Sequence, residues 1–292
     1  MTEQLPETKA KVRKSNVLID GRYRFNMQEQ KILLQILSKV GMDEKEFSPY
    51  FLSWEDLLEV SKGRLNTSKK IDESCEKLKN KTIKIKSGNS ENNFGFLSGW
   101  TVTPGQGVEF RIDPGMKTML LDLLKEGNFT LFNLECAMAL SSSHAIRLYE
   151  IMKSHQWKKQ PVNISLESIK YALDIPEDSK TYSDFANFRN RILMAPQKAF
   201  KQHTDIVFTF VPKKTARKVT SIEVTIKNNP RYQRTVQGEI VKQESLSLAS
   251  GDVIILDGKE YTFVDGGIVM GAGALPTGKI MQLLKDGRAV KK

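Results

Sequence analysis

Apolar residues recur at helical spacing, then give way to short alternating runs, and this order of periods occurs twice along the chain. Asn26 reads as a helix N-cap, with Glu29 in the reciprocal capping-box position. Met27, Leu33, Leu34, Leu37 and Val40 then share one helical face. An extended piece over residues 47–52 leads to Ser53, a second N-cap, and to a helix from Trp54 to about Val60 that Gly63 breaks. Thr67 or Ser68 opens a third helix, with Ile71, Cys75 and Leu78 on its apolar face and Lys69, Lys70, Lys77 and Lys79 on the other. Three strand-like runs come next, residues 82–86, 94–102 and 108–112, with Pro104-Gly105 as a turn between the last two. Asp113 is placed to cap a helix that starts at Pro114 and runs to about Leu124.

The second round begins at residues 142–153, a helix with Ile146, Tyr149, Ile151 and Met152 among its apolar positions. Residues 162–164 read as a short strand, and Ser165 caps a helix ending near Leu173. Ser183 is expected to open a long helix with Phe185, Phe188, Ile192 and Leu193 inward and Arg189 and Arg191 elsewhere. Pro196 predicts a kink or an end near Met194, because proline lacks the N–H of the ladder and crowds the preceding turn. Strands at 205–211 and 219–226 flank a basic tip at 212–217. Helix, helix, basic helix, hairpin is the layout of a winged helix, in which the third helix fits a major groove about 12 Å wide. The expected fold class is α+β: two tandem winged-helix domains, residues 14–132 and 133–230, after an arm at 1–13.

Charge sharpens this picture. The net charge of +11 favours a polyanionic partner. It is concentrated: residues 62–86 hold nine basic side chains against three acidic, and residues 187–220 hold eight against one. Two basic foci on one chain suit two contacts with one long polyanion. Two solvated helix faces would give the same counts.

Other chemistries lack their residues. His144, His155 and His203 form no His-x-His pair, and no CxxC, HExxH, Walker A or GxSxG motif occurs, so neither an enzyme nor a metal or cofactor site is expected. Cys75 and Cys136 read as small buried hydrophobes in a reducing cytoplasm. No apolar run reaches the roughly 18 residues of a membrane span, and the first 14 residues do not form a secretory signal.

Three segments carry a resemblance: Lys14-Ser-Asn-Val-Leu-Ile19, Ser142-Ser-His-Ala-Ile-Arg-Leu-Tyr-Glu150, and Tyr182-Ser-Asp-Phe-Ala-Asn-Phe-Arg-Asn-Arg191 continuing through Thr204-Asp205 to the basic stretch 213–220. Over residues 14–228 the chain resembles the iteron-binding initiator proteins of bacterial theta-replicating plasmids. The resemblance implies binding of double-stranded origin repeats, opening of the origin, dimers that repress the protein's own promoter, monomers that initiate, and host replisome partners in the bacterial cytoplasm. It assigns base reading to Arg189 and Arg191 with Asn187 and Asn190. Arginine suits guanine O6 and N7, and asparagine suits adenine. It makes Lys213, Lys214, Arg217 and Lys218 phosphate contacts of the second wing, and Lys69, Lys70 and Lys77 those of the first domain. A transcriptional regulator without an initiation role is the alternative, and a protein-binding scaffold a third.

Residues 231–292 lie outside the resemblance. Residues 231–248 read as a polar linker, and Asp257-Gly258 as a hairpin turn between two strands in a small glycine-rich β element. Gly278-Lys279 lacks the spacing of a phosphate loop.

Overall fold

The computed structural model describes residues 10–41, 43–61, 67–123 and 127–232, and beyond these residues 234–236, 239–241, 253–256, 259–264, 267–270, 273–276 and 289–291. The chain divides into two units, Met1–Tyr232 and Gln233–Lys292.

In the first unit, β1 (Lys11–Ser15) and α1 (Asn16–Asp20) precede α2 (Met27–Ser38). Asn26 and Glu29 complete the expected capping box, the Asn26 amide donating to Glu29 Oε2 at 2.7 Å. Next come β2 (Tyr50–Ser53), α3 (Trp54–Ser61), α4 (Ser68–Lys79) and the strands β3 (Thr82–Ser87), β4 (Ser90–Gly95), β5 (Leu97–Thr103) and β6 (Gly107–Ile112). After a connection through α5 (Lys117–Leu120), β7 (Phe129–Asn133) and α6 (Leu134–Ala139) come α7 (Ser143–His155), β8 (Val162–Ser165), α8 (Leu166–Ala172) and α9 (Lys180–Ser183). A composite helix is next, made of α10 (Phe185–Phe188), a π-helical stretch (Arg189–Met194) and α11 (Ala195–His203), and then β9 (Ile206–Thr215) and β10 (Lys218–Asn228). The two sheets have the same plan: β6 lies between β2 and β5, and β10 lies between β8 and β9. The architectural repeat is therefore a topological one, two winged helices with the β3–β4 hairpin inserted in the first.

Several local expectations are corrected. The run 94–102 is two strands in two sheets: β4 pairs with β3, and β5 with β6. Between them Phe96 is fully buried, and its carbonyl accepts from the Asp113 amide at 2.9 Å. One alternation thus continues across a change of sheet, which periodicity cannot register. Asp113 does cap; among the described residues it opens a 3₁₀ turn at Pro114–Met116 that leads into the four-residue α5. Residues 11–13 are not an arm; as part of β1 they pair with β7. The composite helix is capped by Asp184, whose side chain accepts from the Ala186 amide at 3.1 Å, whereas Ser183 ends α9. Helix α2 buries more than one face: Glu29, Gln30 and Lys31 are inside with Leu33, Leu34 and Leu37. Lys31 Nζ donates to the Met138 carbonyl and Lys81 pairs with Glu29, which partners the two buried charges.

A buried ionic cluster ties β1 to α7. Lys14 Nζ from β1 and Arg147 Nη1 from α7 each lie 2.6 Å from Glu150, at Oε1 and Oε2. Arg147 also donates to the Tyr23 hydroxyl and to the carbonyls of Ile19, Gly21 and Ala172. Burial alone would raise the Glu150 pKa, but the two cations outweigh it and hold the carboxyl below its ordinary value. Burial pushes the Lys14 ammonium down and the Tyr23 phenol up. Breaking such a pair leaves an uncompensated charge in low dielectric, so the cluster fixes one docking of α7 against the first domain. Asp205 makes a second tie, accepting from Tyr149 Oη at 2.7 Å, Lys153 Nζ at 3.0 Å and Asn133 Nδ2 at 3.1 Å. At the surface, Arg22 of the first domain meets Asp174 of the second at 2.6 Å.

In the second unit, β11 (Arg234–Val236) and β12 (Glu239–Val241) pair as a hairpin within the expected linker. The strands β13 (Val253–Leu256), β14 (Lys259–Val264), β15 (Gly267–Met270), β16 (Gly273–Pro276) and β17 (Ala289–Lys291) form one sheet in the order β16-β15-β14-β13-β17. The register Leu256↔Lys259 agrees with a two-residue connection. The turn residues Asp257-Gly258, the remainder of the linker, Gly278-Lys279, Gly63, Leu124 and residues 1–9 lie outside the described residues.

Candidate nucleic-acid interface

The composite helix exposes the four residues assigned to base reading. Phe188, Ile192, Leu193, Pro196 and Phe200 turn inward and are buried, which leaves Asn187, Arg189, Asn190 and Arg191 exposed. Its first turn is anchored by aromatic contacts: Phe185 stacks on Phe188 at 6.5 Å between centroids, and Tyr182 meets Phe188 edge-on at 6.4 Å. Lys170 secures this corner, donating to the Tyr182 carbonyl at 2.9 Å with its ammonium 5.7 Å from the Phe188 ring.

Pro196 does not end the helix. Met194 and Ala195 keep right-handed helical angles, and α11 runs on to His203. The π-helical stretch just before Pro196 supplies the accommodation: one extra residue in the turn shifts the hydrogen-bond pattern where proline cannot donate. Lys198 and Lys201 are therefore on the same continuous helix, and Lys201 is exposed.

The second wing is longer than the sequence pattern indicates. β9 and β10 pair from Asn228↔Ile206 to Lys218↔Thr215, so Pro212, Lys213 and Lys214 are strand residues and the turn itself is Ala216-Arg217. β9 is an edge strand, where a proline without an N–H is tolerated. Ala216 has φ +53, a left-handed conformation that costs an L-residue about 1–2 kcal/mol. Lys213, Lys214, Arg217 and Lys218 are all exposed. Lys213 forms an ion pair with Glu223 across the hairpin at 3.2 Å, a partner visible only once the strand register is known.

The first domain presents different chemistry at the corresponding places. Lys69, Lys70 and Lys77 are exposed on α4, but so are Asp72, Glu73 and Glu76. Asp72 Oδ1 accepts from Trp100 Nε1 at 2.7 Å, and the Lys79 ammonium sits 5.8 Å from the Trp100 ring, so α4 is fastened to its own wing strand. The β5–β6 turn is Pro104-Gly105-Gln106, without charge, and Arg111 nearby is paired with Glu109. Among the described residues of the basic focus at 62–86, further cations are engaged. Lys81 pairs with Glu29 at 2.6 Å, Lys84 with Glu91 at 3.4 Å, and Lys86 lies 4.4 Å from the Tyr171 ring centroid.

Sequence reasoning missed the cluster of Lys14, Arg147 and Glu150 and the clasp of Asp205. The signal was present: charged residues at helical positions whose neighbours Ile146, Leu148, Tyr149 and Ile151 are all apolar. Two of the segments that carried the family resemblance meet there.

Cys75 and Cys136 are buried and unpaired, and burial pushes the Cys75 thiol up to about 12. Among the described residues no group of three or more His, Cys, Asp or Glu is placed to hold a metal, and no helix is long and apolar enough to cross a membrane.

Comparison with known proteins gives two family matches. Residues 11–153 match the model described as Initiator Replication protein, WH1, and residues 165–226 match Initiator Rep protein, WH2. Among solved structures, the Pi initiator protein in complex with iteron DNA aligns with a TM-score of 0.60 at 17% identity, over 74% of this chain and 96% of that one. At that identity the likeness is one of fold. Domain 2 and domain 3 of RctB align at 14% identity over 61% of this chain and 73% of theirs, with a TM-score of 0.37. No curated protein matches the chain.

Proposed function

This chain belongs to the initiator replication protein family, and we propose on that premise that it initiates replication of a bacterial plasmid by binding repeats in the origin. The carrying observation is the match of both winged-helix halves to the family, together with an exposed helix and wing of nearly unmixed positive charge in the second half. Asn187, Arg189, Asn190 and Arg191 enter the major groove, and Lys213, Lys214, Arg217 and Lys218 reach the neighbouring backbone. Lys69, Lys70 and Lys77 add phosphate contacts from the first domain. With two helices in successive major grooves the site spans roughly 20 bp. The protein works in the cytoplasm, without catalysis of its own, and its dimer represses its own promoter while the monomer engages the origin and host replisome proteins.

The test is a gel shift with the upstream DNA of the protein's own plasmid against random duplex at about 50 and 200 mM salt. A specific shift that weakens by about 10³ or more at the higher salt fits 6–10 phosphate contacts. No specific shift at either salt overturns the proposal. Replication of a plasmid carrying the origin in cis separates an initiator from a repressor of the same fold.

A further inference from the structure

The four exposed residues on the reading helix do not face the same way. A groove of about 540 Å³ runs between that helix and the wing strand β9, lined by Phe185, Arg189, Met194, Gln197, Phe210 and Pro212, among others. Gln197 Nε2 donates to the Phe208 carbonyl at 2.8 Å, which identifies this flank of the helix as the one turned to β9. The π-helical stretch is what brings Arg189 and Met194, five residues apart, to one wall, since its repeat is i to i+5. Asn187, Asn190 and Arg191 are not among the groove's lining residues; Asn187 and Arg191 are four apart, one turn along another flank.

A helix lying in the major groove is bordered on each side by a sugar–phosphate strand, and a hairpin standing beside the helix must have one such strand between them. The groove offers an exposed guanidinium, the Thr209 hydroxyl, and apolar walls of Phe185, Phe210 and Pro212 for deoxyribose carbons; its one carboxylate, Asp184, is engaged at the helix N-terminus, where it accepts from the Ala186 amide at 3.1 Å. We propose that this groove is the seat of one DNA strand's backbone, and that Arg189 is a phosphate clamp, leaving base reading to Arg191 with Asn187 and Asn190. This assignment rests on the DNA-binding reading and divides its residues into two roles. It also gives Pro196 a function, because the π-helical stretch it calls for sets the direction of Arg189.

The experiment measures binding of wild type, Arg189→Ala, Arg189→Lys and Arg191→Lys to the specific and a random duplex over a salt series. All three substitutions are at exposed positions, and circular dichroism checks the fold. Arg189→Ala is expected to lose about tenfold on both duplexes, the size of one charge-assisted contact. The log–log salt slope then falls by about one. Arg189→Lys retains slope and specificity, because a phosphate accepts a point charge, whereas Arg191→Lys loses preference for the specific duplex, because a lysine cannot reproduce the planar fork. Loss confined to the specific duplex in Arg189→Ala makes Arg189 a base reader and overturns the proposal, as does binding unchanged by that substitution. If wild type itself shows no preference between the duplexes, the DNA-binding reading fails first, and this assignment falls with it.

Discussion

The two winged helices share a sheet order and differ in what they show to solvent. In the second, acidic residues are sparse on the reading helix, and the wing tip carries Lys214, Arg217 and Lys218. In the first, α4 interleaves Lys69, Lys70 and Lys77 with Asp72, Glu73 and Glu76, its wing turn is uncharged, and Trp100 and Asp72 fasten the helix to the wing. One topology therefore supports two surfaces, because fold is set by the inward positions and binding by the outward ones. The difference teaches that two copies of one topology need not share a role, and it supports the proposal that the second domain reads sequence while the first adds phosphate attraction.

The contrast is meaningful only while both halves stay folded, so its most severe test removes the buried cluster that ties α7 to β1. Glu150→Ala leaves Lys14 and Arg147 buried without their carboxylate and is expected to cost about 3–5 kcal/mol in urea or thermal unfolding. The same group predicts an acid limit. Its folded pKa lies below the ordinary carboxyl value of 4.5, so its stabilisation is full above that pH and disappears as pH falls through the folded pKa. Unfolding midpoints that do not fall with acid below that range would remove Glu150 from the account. Next in size, Arg191→Ala should relax preference at one base position by about 1–3 kcal/mol, whereas Lys69→Ala should weaken all duplexes without changing preference. A change in preference with Lys69→Ala would erase the division of labour. Lys214→Ala should flatten the salt slope by about one, while Arg111→Ala on the first wing, already paired with Glu109, should leave it unchanged. Equal slopes in both variants would make the wings equivalent. The smallest effect is Ala216→Gly, which relieves the left-handed φ at the second wing's turn and should raise stability by about 0.5–1 kcal/mol in a melting curve.

Much of this was legible in the chain itself. Caps at Asn26, Ser53 and Ser165 are local hydrogen bonds, determined within three residues, and each forms as read. Apolar spacing located α2, α3, α4, α7, α8, the composite helix and the two wing hairpins, and the clustering of charge singled out residues 62–86 and 187–220. All eleven residues assigned to DNA are exposed, as a binding role requires.

What tertiary structure decided is every property that depends on a partner distant in sequence. Whether Lys81 or Lys213 is available to a phosphate depends on Glu29 and Glu223, which only packing and strand register bring near. That Lys14, Arg147 and Glu150 stay inside depends on burial, where charge without a partner is too costly to persist and charge with two partners specifies one docking. The direction of Arg189 depends on a π-helical turn whose cause, Pro196, is plain in the sequence but whose outcome is not: proline dictates only that a regular hydrogen bond be absent. Whether the helix then breaks, bends or takes up an extra residue is settled by the core that Phe188, Ile192 and Phe200 must fill on either side of it.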